Sequence, residues 1–263
     1  MTIKKSILPI AFAIILVFST LPAFASEQKA CDECAEYAEL GLPSNDGTLL
    51  CRTGYLLAHD EEFKTPVWAI ERLTREKAQA KLERTDSFKA DPDLKKGQRA
   101  ELADYVGSGY DRGHVAPAAD FGWSAIAMDE SFYLSNMIPQ NPTNNRQIWA
   151  NLEAQVRDWA ILRGEVFIFT GPVYDNDEAF KTIGKNNVGV PDRLFKVIYD
   201  PAAKEAIAFL LPNEPIETKR LPEYIVSVRF IEYLTGLNFL SNLPRKEQNQ
   251  IERPTAASMW DRK

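Results

Sequence analysis

The sequence predicts an α+β protein with a central, mostly antiparallel β-sheet flanked by helices. Apolar segments of strand length recur from residue 49 to residue 211, and the first two are separated by a short polar turn. A segment over 145–159 has helical periodicity. The chain has 263 residues, of which 45% are hydrophobic and 26% charged, and contains no repeats. That length and composition suffice for one full-sized core.

Residues 1–25 differ in composition from the rest and predict a signal peptide. Lys4 and Lys5 precede an apolar run over 7–18, and a small-x-small pattern ends at Ala25. The apolar run is short for a membrane span, which favours a signal peptide. An uncleaved membrane anchor is the alternative interpretation. Cleavage would leave one domain over 26–263, located in the periplasm or secreted, with no membrane attachment.

Three cysteines, Cys31, Cys34 and Cys51, are disulfide candidates, because an exported protein meets an oxidising compartment. Cys31-x-x-Cys34 also fits a redox motif or half of a zinc site. No βαβ unit surrounds the pair, however, and a zinc site would need a fourth ligand nearby. The residues alone leave the pairing open.

The apolar segments 49–58 and 66–73 predict a hairpin, and His59 falls in the polar turn between them as a solvated histidine. Residues 74–103 are charged and weakly periodic, which is typical of a solvated face. Strand signals return at 166–173, 188–191, 194–199 and 206–211. A last apolar segment, 226–234, ends at Thr235-Gly236.

The other histidine, His114, has chemically suggestive neighbours. It ends the run Asp-Arg-Gly-His over 111–114, and a second segment with a polar end follows at 132–140. Histidine titrates near neutrality and can remove a proton from a nucleophilic water. Arg112 can present a planar set of donors to phosphate oxygens, and Gly113 allows close backbone packing. These residue types suit phosphodiester hydrolysis.

The helical segment contributes an amide and a carboxylate. Its buried stripe is predicted from a 4, 4, 3 spacing of Ile148, Leu152, Val156 and Trp159. Asn145 lies on the same stripe and points inward, whereas Asn144, with Gln147 three residues on, resembles a helix cap. Glu153 lies about 12 Å along the axis from Asn145 and is rotated by about 80°, but helical side chains lean toward the N-terminus and can reach back.

Three spaced blocks carry a family resemblance: Asp-Arg-Gly-His at 111–114, Tyr-Leu-Ser-Asn at 133–136 with Pro-Gln after it, and Asn-x-x-x-Trp-x-x-x-Glu at 145–153. In this order they resemble the DNA/RNA non-specific endonucleases of the ββα-metal superfamily, the group that includes endonuclease G. Blocks at 184–191 and 234–240 extend the resemblance over roughly 34–251.

The resemblance implies an exported, Mg²⁺-dependent, sugar-non-specific endonuclease that cleaves DNA and RNA to 5′-phosphate ends, with Mn²⁺ as a second usable metal. It makes His114 the general base and Asn145 the direct protein ligand of the metal. Glu153 would hold a metal-bound water, and Asn136 would position the site or the phosphate. An amide oxygen suits a hard cation that keeps most of its waters.

The same resemblance assigns further residues. Arg-x-x-x-Phe-x-x-Asp at 84–91 makes Arg84 a phosphate contact, joined by Arg112 and Arg146 in substrate binding. A cysteine seven residues before a Gly-x-Pro turn makes Cys34 the partner of Cys51. A homodimer is also expected from relatives. The alternatives left open are a catalytically inactive extracytoplasmic nucleic-acid-binding protein and a phosphodiesterase for small nucleotides.

Overall fold

The computed structural model describes residues 34–175 and 180–261. Its strands are β1 (Thr48–Cys51), β2 (Leu56–Asp60), β3 (Thr65–Thr74), β4 (Asp111–His114), β5 (Met137–Gln140), β6 (Glu165–Val173), β7 (Lys181–Ile183), β8 (Val188–Val190), β9 (Arg193–Asp200), β10 (Glu205–Pro212) and β11 (Ile225–Val226). Seven form one antiparallel sheet, in the order β1-β2-β3-β6-β9-β10-β11. β4 pairs with β5, and β7 with β8. The predicted fold class is confirmed.

The helices are α1 (Arg75–Gln79), α2 (Leu102–Tyr105), α3 (Ala125–Glu130), α4 (Ala150–Arg163), α5 (Val228–Thr235) and α6 (Arg245–Glu252). Short 3-10 turns lie at Ala118–Phe121, Leu134–Asn136 and Thr218–Tyr224, and a π-helical turn at Asn144–Trp149 runs directly into α4. Within the described residues, no helix is long and apolar enough to cross a membrane.

Both faces of the large sheet are buried, because side chains alternate along each strand. In β3, Ala69 and Leu73 face a core shared with α4, whereas Trp68 and Ile70 face a second core shared with α5 and α6. The first core contains the predicted helical stripe, whose members are buried. Helix α4 is thereby held against the sheet, and the residues at its start are placed beside the β4–β5 pair.

A third, smaller core packs the β7–β8 hairpin against the β4–β5 pair. It contains Met137 of β5, Ile183 of β7, and Val188 and Val190 of β8, together with Tyr105 of α2. This satellite core fixes the position of the β7–β8 hairpin relative to the strand that carries His114.

One local prediction is wrong. His59 is not a solvated turn residue, because β2 continues to Asp60 and the loop containing Gln98 covers the ring; the side chain is fully buried, with Nε2 3.0 Å from the carbonyl oxygen of Gln98. The apolar segment 226–234, which the sequence assigned neither to a helix nor to a strand, is mostly helix α5. Its hydroxyl cap at Ser227 accepts a hydrogen bond from the backbone N–H of Phe230.

The predicted disulfide between Cys34 and Cys51 is present, with a Cα–Cα distance of 5.8 Å. It closes a loop of 17 residues, a restriction of the unfolded chain that stabilises by about 3 kcal/mol. Cys31 and the predicted signal peptide over 1–25 lie outside the described residues.

Candidate active site

The site is built on the pairing of β4 with β5, in which Gly113 lies opposite Ile138 and His114 opposite Met137. A Cβ atom added at Gly113 would lie 2.6 Å from the Cβ of Gln140. Only a glycine allows this close approach, so the strand pairing that sets the direction of His114 depends on Gly113.

His114 lies between two aromatic rings and is only 8% exposed. Its ring centroid is 5.5 Å from that of Phe88 and 5.1 Å from that of Phe132, which stands nearly perpendicular to it. Nε2 is buried without a hydrogen-bond partner, whereas Nδ1 is not enclosed in this way. Burial, aided by the positive charges of Arg84 and Arg112, lowers the pKa of His114 to about 3. The imidazole is therefore neutral at physiological pH, and its accessible nitrogen can accept a proton.

Two arginines share the rings that flank His114. The Arg112 guanidinium carbon lies 4.1 Å from the centre of the Phe88 ring, and that of Arg84 lies 5.0 Å from the centre of the Phe132 ring. Cation–π contacts of this kind stabilise a guanidinium without using its N–H donors. Both arginines line a cleft of about 300 Å³. Arg84 Nε already donates to Asp86 at 2.6 Å, so Arg84 has its Nη donors left for an anion in the cleft.

Asp111 and Asn145 lie on the wall of the same cleft. The Asp111 carboxylate accepts hydrogen bonds from Asn145 Nδ2 at 2.9 Å and from Arg146 Nε and Nη2 at 2.8 and 2.6 Å. Burial raises the pKa of Asp111, but the hydrogen bonds from Arg146 and Asn145 outweigh it and bring the pKa below its ordinary value. A carboxylate can only accept, so the amide nitrogen of Asn145 faces Asp111 and its Oδ1 is left for another partner.

The π-helical turn changes the angle between Asn145 and Glu153. The backbone N–H of Ala150 donates to the carbonyl oxygen of Asn145, five residues back. Each residue of such a turn rotates by less than the 100° of an α-helix, so the two side chains lie closer to one helix face than the roughly 80° of a regular helix. The regular helix expected from the sequence overstates their separation.

The oxygen donors of this cleft fit a hydrated Mg²⁺ ion rather than a metal held by a full set of protein ligands. Among the described residues, no group of three or more His, Cys, Asp or Glu side chains could hold a metal ion. Magnesium keeps several waters and takes few protein oxygens. The amide oxygen of Asn145, whose side chain is oriented by the neighbouring Asp111 carboxylate, matches that requirement.

A family model described as DNA/RNA non-specific endonuclease matches residues 35–246. The chain belongs to this family. Human mitochondrial endonuclease G is 37% identical over 221 residues, covering 79% of this chain and 74% of the relative. Nuclease C1 of Cunninghamella echinulata var. echinulata is 37% identical over 220 residues, covering 78% of this chain and 87% of the relative.

A solved structure leads to the same family. The crystal structure of an EndoG/EndoGI complex, described as showing the mechanism of EndoG inhibition, superposes with a TM-score of 0.75 at 31% identity. The match covers 82% of this chain and 94% of the solved chain. As an endonuclease G-like member of the family, the protein is a hydrolytic nuclease of the ββα-metal type.

The predicted periplasmic or secreted location is contradicted by the relatives. Endonuclease G of human and cattle, nuclease EXOG of Xenopus laevis and nuclease 1 of Schizosaccharomyces pombe all carry mitochondrial names. These names point to mitochondria rather than to the periplasm or the medium, so the predicted location is wrong.

Within this nuclease, Asn136 lies behind the cleft rather than in it. It is fully buried in the 3-10 turn before β5, not at the end of a strand. Its Oδ1 accepts from the backbone N–H of Ala116, and its Nδ2 donates to the carbonyl oxygens of Ala116 and Ser131. The amide thus holds the chain just after His114 and has no solvent-exposed atom.

Asn144 is not the helix cap that the sequence predicted. Its side chain is buried, accepting from Gln140 Nε2 at 2.9 Å and donating to the carbonyl oxygens of Pro212 and Glu214. The side chain of Asn141 instead accepts from the backbone N–H of Thr143 and Asn144. Asn144 therefore bonds to residues far away in sequence, at the end of β10 and just after it, instead of capping the helix.

Glu153 is half-buried and belongs to a charge cluster in which Glu71, Asp120 and Lys196 are buried and Arg157 is half-buried. Burial raises the pKa of Glu153 to about 7, with Lys196 lowering it and Asp120 raising it further. Lys196 Nζ donates to Thr170 Oγ1 at 2.6 Å, and Arg157 donates to Asp120 at 2.8 Å. The strongest charges acting on Glu153 therefore come from Lys196 of the sheet, Asp120 of a 3-10 turn and Arg157 of its own helix rather than from the arginines of the cleft.

Arg146 lies at the edge of the cleft, where it donates to the Asp111 carboxylate, and its side chain is 70% exposed.

Sequence reasoning missed Phe88 and Phe132, the rings that support both arginines and His114. Phe88 is the aromatic residue of the Arg-x-x-x-Phe-x-x-Asp pattern, which was the available signal. Asp91 of the same pattern is a buried partner of Arg52, so that part of the pattern is structural.

Proposed function

We propose that this protein is a Mg²⁺-dependent, sugar-non-specific endonuclease that cleaves DNA and RNA and leaves 5′-phosphate ends, with Mn²⁺ as an alternative metal. The observation that carries the proposal is a neutral imidazole packed between the two phenylalanine rings that also support Arg84 and Arg112, beside a cleft lined by those two guanidiniums and by Asn145. A general base needs that neutral form. The domain boundary at residue 26 and a homodimeric state remain proposals as well.

His114 Nδ1 accepts the proton of the attacking water in this proposal, while Nε2 carries the hydrogen of the neutral ring. Arg84 and Arg112 bind the phosphate oxygens and offset the charge that develops on them. Their guanidiniums are held against phenylalanine rings, so little side-chain freedom is lost when the phosphate binds. Arg146 contributes through Asp111, which orients Asn145.

Asn145, through Oδ1, would hold the metal, with Glu153 orienting a water of its hydration shell. A bound Mg²⁺ supplies positive charge to the phosphate and to the leaving oxygen. Two features of this chain support the assignment. Asn145 Nδ2 is hydrogen-bonded to Asp111, and the π-helical turn brings Asn145 and Glu153 toward one face of the helix.

The test is incubation of the purified protein with supercoiled plasmid and with single-stranded RNA, with Mg²⁺, with Mn²⁺ and with EDTA. Cleavage of both nucleic acids with either metal, its loss in EDTA, and ligatable 5′-phosphate ends are expected. Intact plasmid with hydrolysis of a small phosphodiester would favour the small-nucleotide phosphodiesterase. Binding without any cleavage would favour the inactive binding protein.

A further inference from the structure

A second cleft of about 580 Å³ adjoins the reaction cleft. The exposed side chain of Val106 lies on the wall of both. On the far side, the β7–β8 hairpin presents Lys181 and Lys185 to solvent. Tyr110, on the wall of the reaction cleft, accepts a hydrogen bond from Lys181 Nζ at 2.9 Å. These four residues, Val106, Tyr110, Lys181 and Lys185, form a flanking groove that is continuous with the reaction cleft.

The hairpin on the far side of the flanking groove is rigidly placed. Gly184 at its turn has φ of +67°, and a Cβ added there would lie 2.3 Å from the Cβ of Asp104 in α2. The Asp104 carboxylate accepts from the backbone N–H and Nδ2 of Asn186 at 3.1 and 2.8 Å. The satellite core lies beneath these contacts, so both lysines project from a fixed support.

Among the residues that the structure describes, the acids lining the flanking groove are bonded within the protein. Asp104 is 3% exposed and accepts, besides its bonds to Asn186, the backbone N–H of Glu101, and Glu101 pairs with Arg99. In the part of the chain that the structure describes, Lys181 and Lys185 make no ion pair. Because the whole protein has a net charge of −6, a local positive patch beside the cleft is what a polyanion can use.

We propose that the flanking groove binds the nucleic-acid strand next to the cleaved phosphate, with a base stacked on Tyr110 and backbone phosphates bound by Lys181 and Lys185. Tyr110 and Arg112 are two residues apart and line the same cleft, so one strand can contact both. Aromatic rings beside positive charges are the means by which proteins bind single strands without sequence preference. This inference rests on the proposed function, because a phosphate at Arg112 sets the register.

Binding is measured with a fluorescent 16-nucleotide DNA strand in EDTA, which removes cleavage from the readout. For the double variant Lys181→Gln/Lys185→Gln, the slope of log affinity against log salt should become shallower by about 1.4, which is about 0.7 for each phosphate of a single strand that a lysine no longer neutralises. Tyr110→Ala should weaken binding at least about 5-fold, the low end of one base–aromatic stack, whereas Tyr110→Phe keeps the ring and most of the affinity. Lys246→Gln, an exposed lysine on α6, is the matched control.

Cleavage gives a second readout. With Mg²⁺, the ratio of kcat/KM for the 16-nucleotide strand to that for a dinucleotide should fall in the double lysine variant and stay at the wild-type value in Lys246→Gln. An unchanged salt slope, or an equal loss on both substrates, would overturn the flanking groove while plasmid cleavage by the wild type left the nuclease function standing. A wild type that binds the strand but cleaves nothing would instead overturn the proposed function.

Discussion

The two histidines of this protein show why burial alone does not make a catalytic base. His59 and His114 are both buried, and burial lowers the pKa of each. His59 Nε2 lies against the carbonyl oxygen of Gln98, and its Nδ1 is sealed inside the protein. His114 has the opposite arrangement, since Nε2 is sealed and Nδ1 is the nitrogen left accessible.

The charges around the two rings differ as well. The Gln98 carbonyl oxygen and three carboxylates, Asp91, Asp60 and Glu61, raise the pKa of His59 against the effect of burial. At His114, Arg84 and Arg112 lower the pKa further, and Asp86 raises it. The two roles are therefore separated by which ring nitrogen is left free and by the two arginines beside His114, and not by the direction of the pKa shift.

The largest expected effect is the loss of turnover in His114→Ala. Its kcat on plasmid should fall by about 10²–10⁴-fold, the usual cost of removing a general base. His59→Ala should keep kcat and instead lower the free energy of unfolding by about 1–3 kcal/mol, because a packed ring is removed. Steady-state kinetics and urea unfolding of both variants measure this; loss of kcat in His59→Ala alone would reverse the assignment.

The second effect concerns the metal. Asn145→Ala removes the oriented oxygen and should raise the Mg²⁺ concentration for half-maximal activity by at least about 10-fold, so that added metal restores part of the rate. Asn145→Asp keeps an oxygen ligand but loses the hydrogen bond to Asp111, so the control is Gln147→Ala, at an exposed position of the same turn. A rate in Asn145→Ala that stays low at every Mg²⁺ concentration would mean that the side chain acts elsewhere in the reaction.

A third expectation uses the pH dependence of the rate. With a pKa of about 3, His114 is already neutral between pH 5 and 9, so a rise in kcat/KM near pH 7 is assigned to Glu153, whose pKa is about 7. Glu153→Gln should abolish that rise, and His114→Ala should keep it at a lower rate. Retention of the rise in Glu153→Gln would remove Glu153 from the mechanism.

The smallest effects are on stability, and they have opposite signs. Both histidines have lowered pKa values, so their stabilisation is complete above about pH 6.5 and is lost as pH falls toward their folded pKa values. Glu153 has a raised pKa, so its contribution is lost as pH rises from about 4.5 to 7. Glu153→Gln should therefore raise Tm at pH 8 relative to the wild type, and thermal unfolding at pH 5 and pH 8 measures both trends.

Much of the fold followed from local patterns. The apolar runs that became β6, β9 and β10 are long enough, and rich enough in β-branched and aromatic residues, to predict strands without tertiary information. The stripe on α4 was equally clear, because a spacing of 4, 4 and 3 fits only a helix. Helix α5 was missed, since a short apolar segment has no decisive period.

The finer structure of the site depended on partners far away in sequence. Asn144 donates to the carbonyl oxygen of Pro212 at the end of β10, the charge of Lys196 on β9 lowers the pKa of Glu153, and Phe132 packs edge-on against His114. No local pattern encodes such contacts. The roles given to Arg84, Arg112, Asn145 and Glu153 came from family resemblance and stay predictions until the variants are measured.

The π-helical turn has a further consequence for how this protein tolerates insertions and deletions. A π turn holds one residue more than the α-helical turn it replaces. Removing one residue there, such as the exposed Gln147, would leave Asn145 and Glu153 seven residues apart in a regular helix, where they differ by about 20° around the axis. A single deletion should therefore keep both side chains on one face of the helix. A second deletion would turn Asn145 away from Glu153 by a further 100° or so, so this segment tolerates the loss of one residue but not of two.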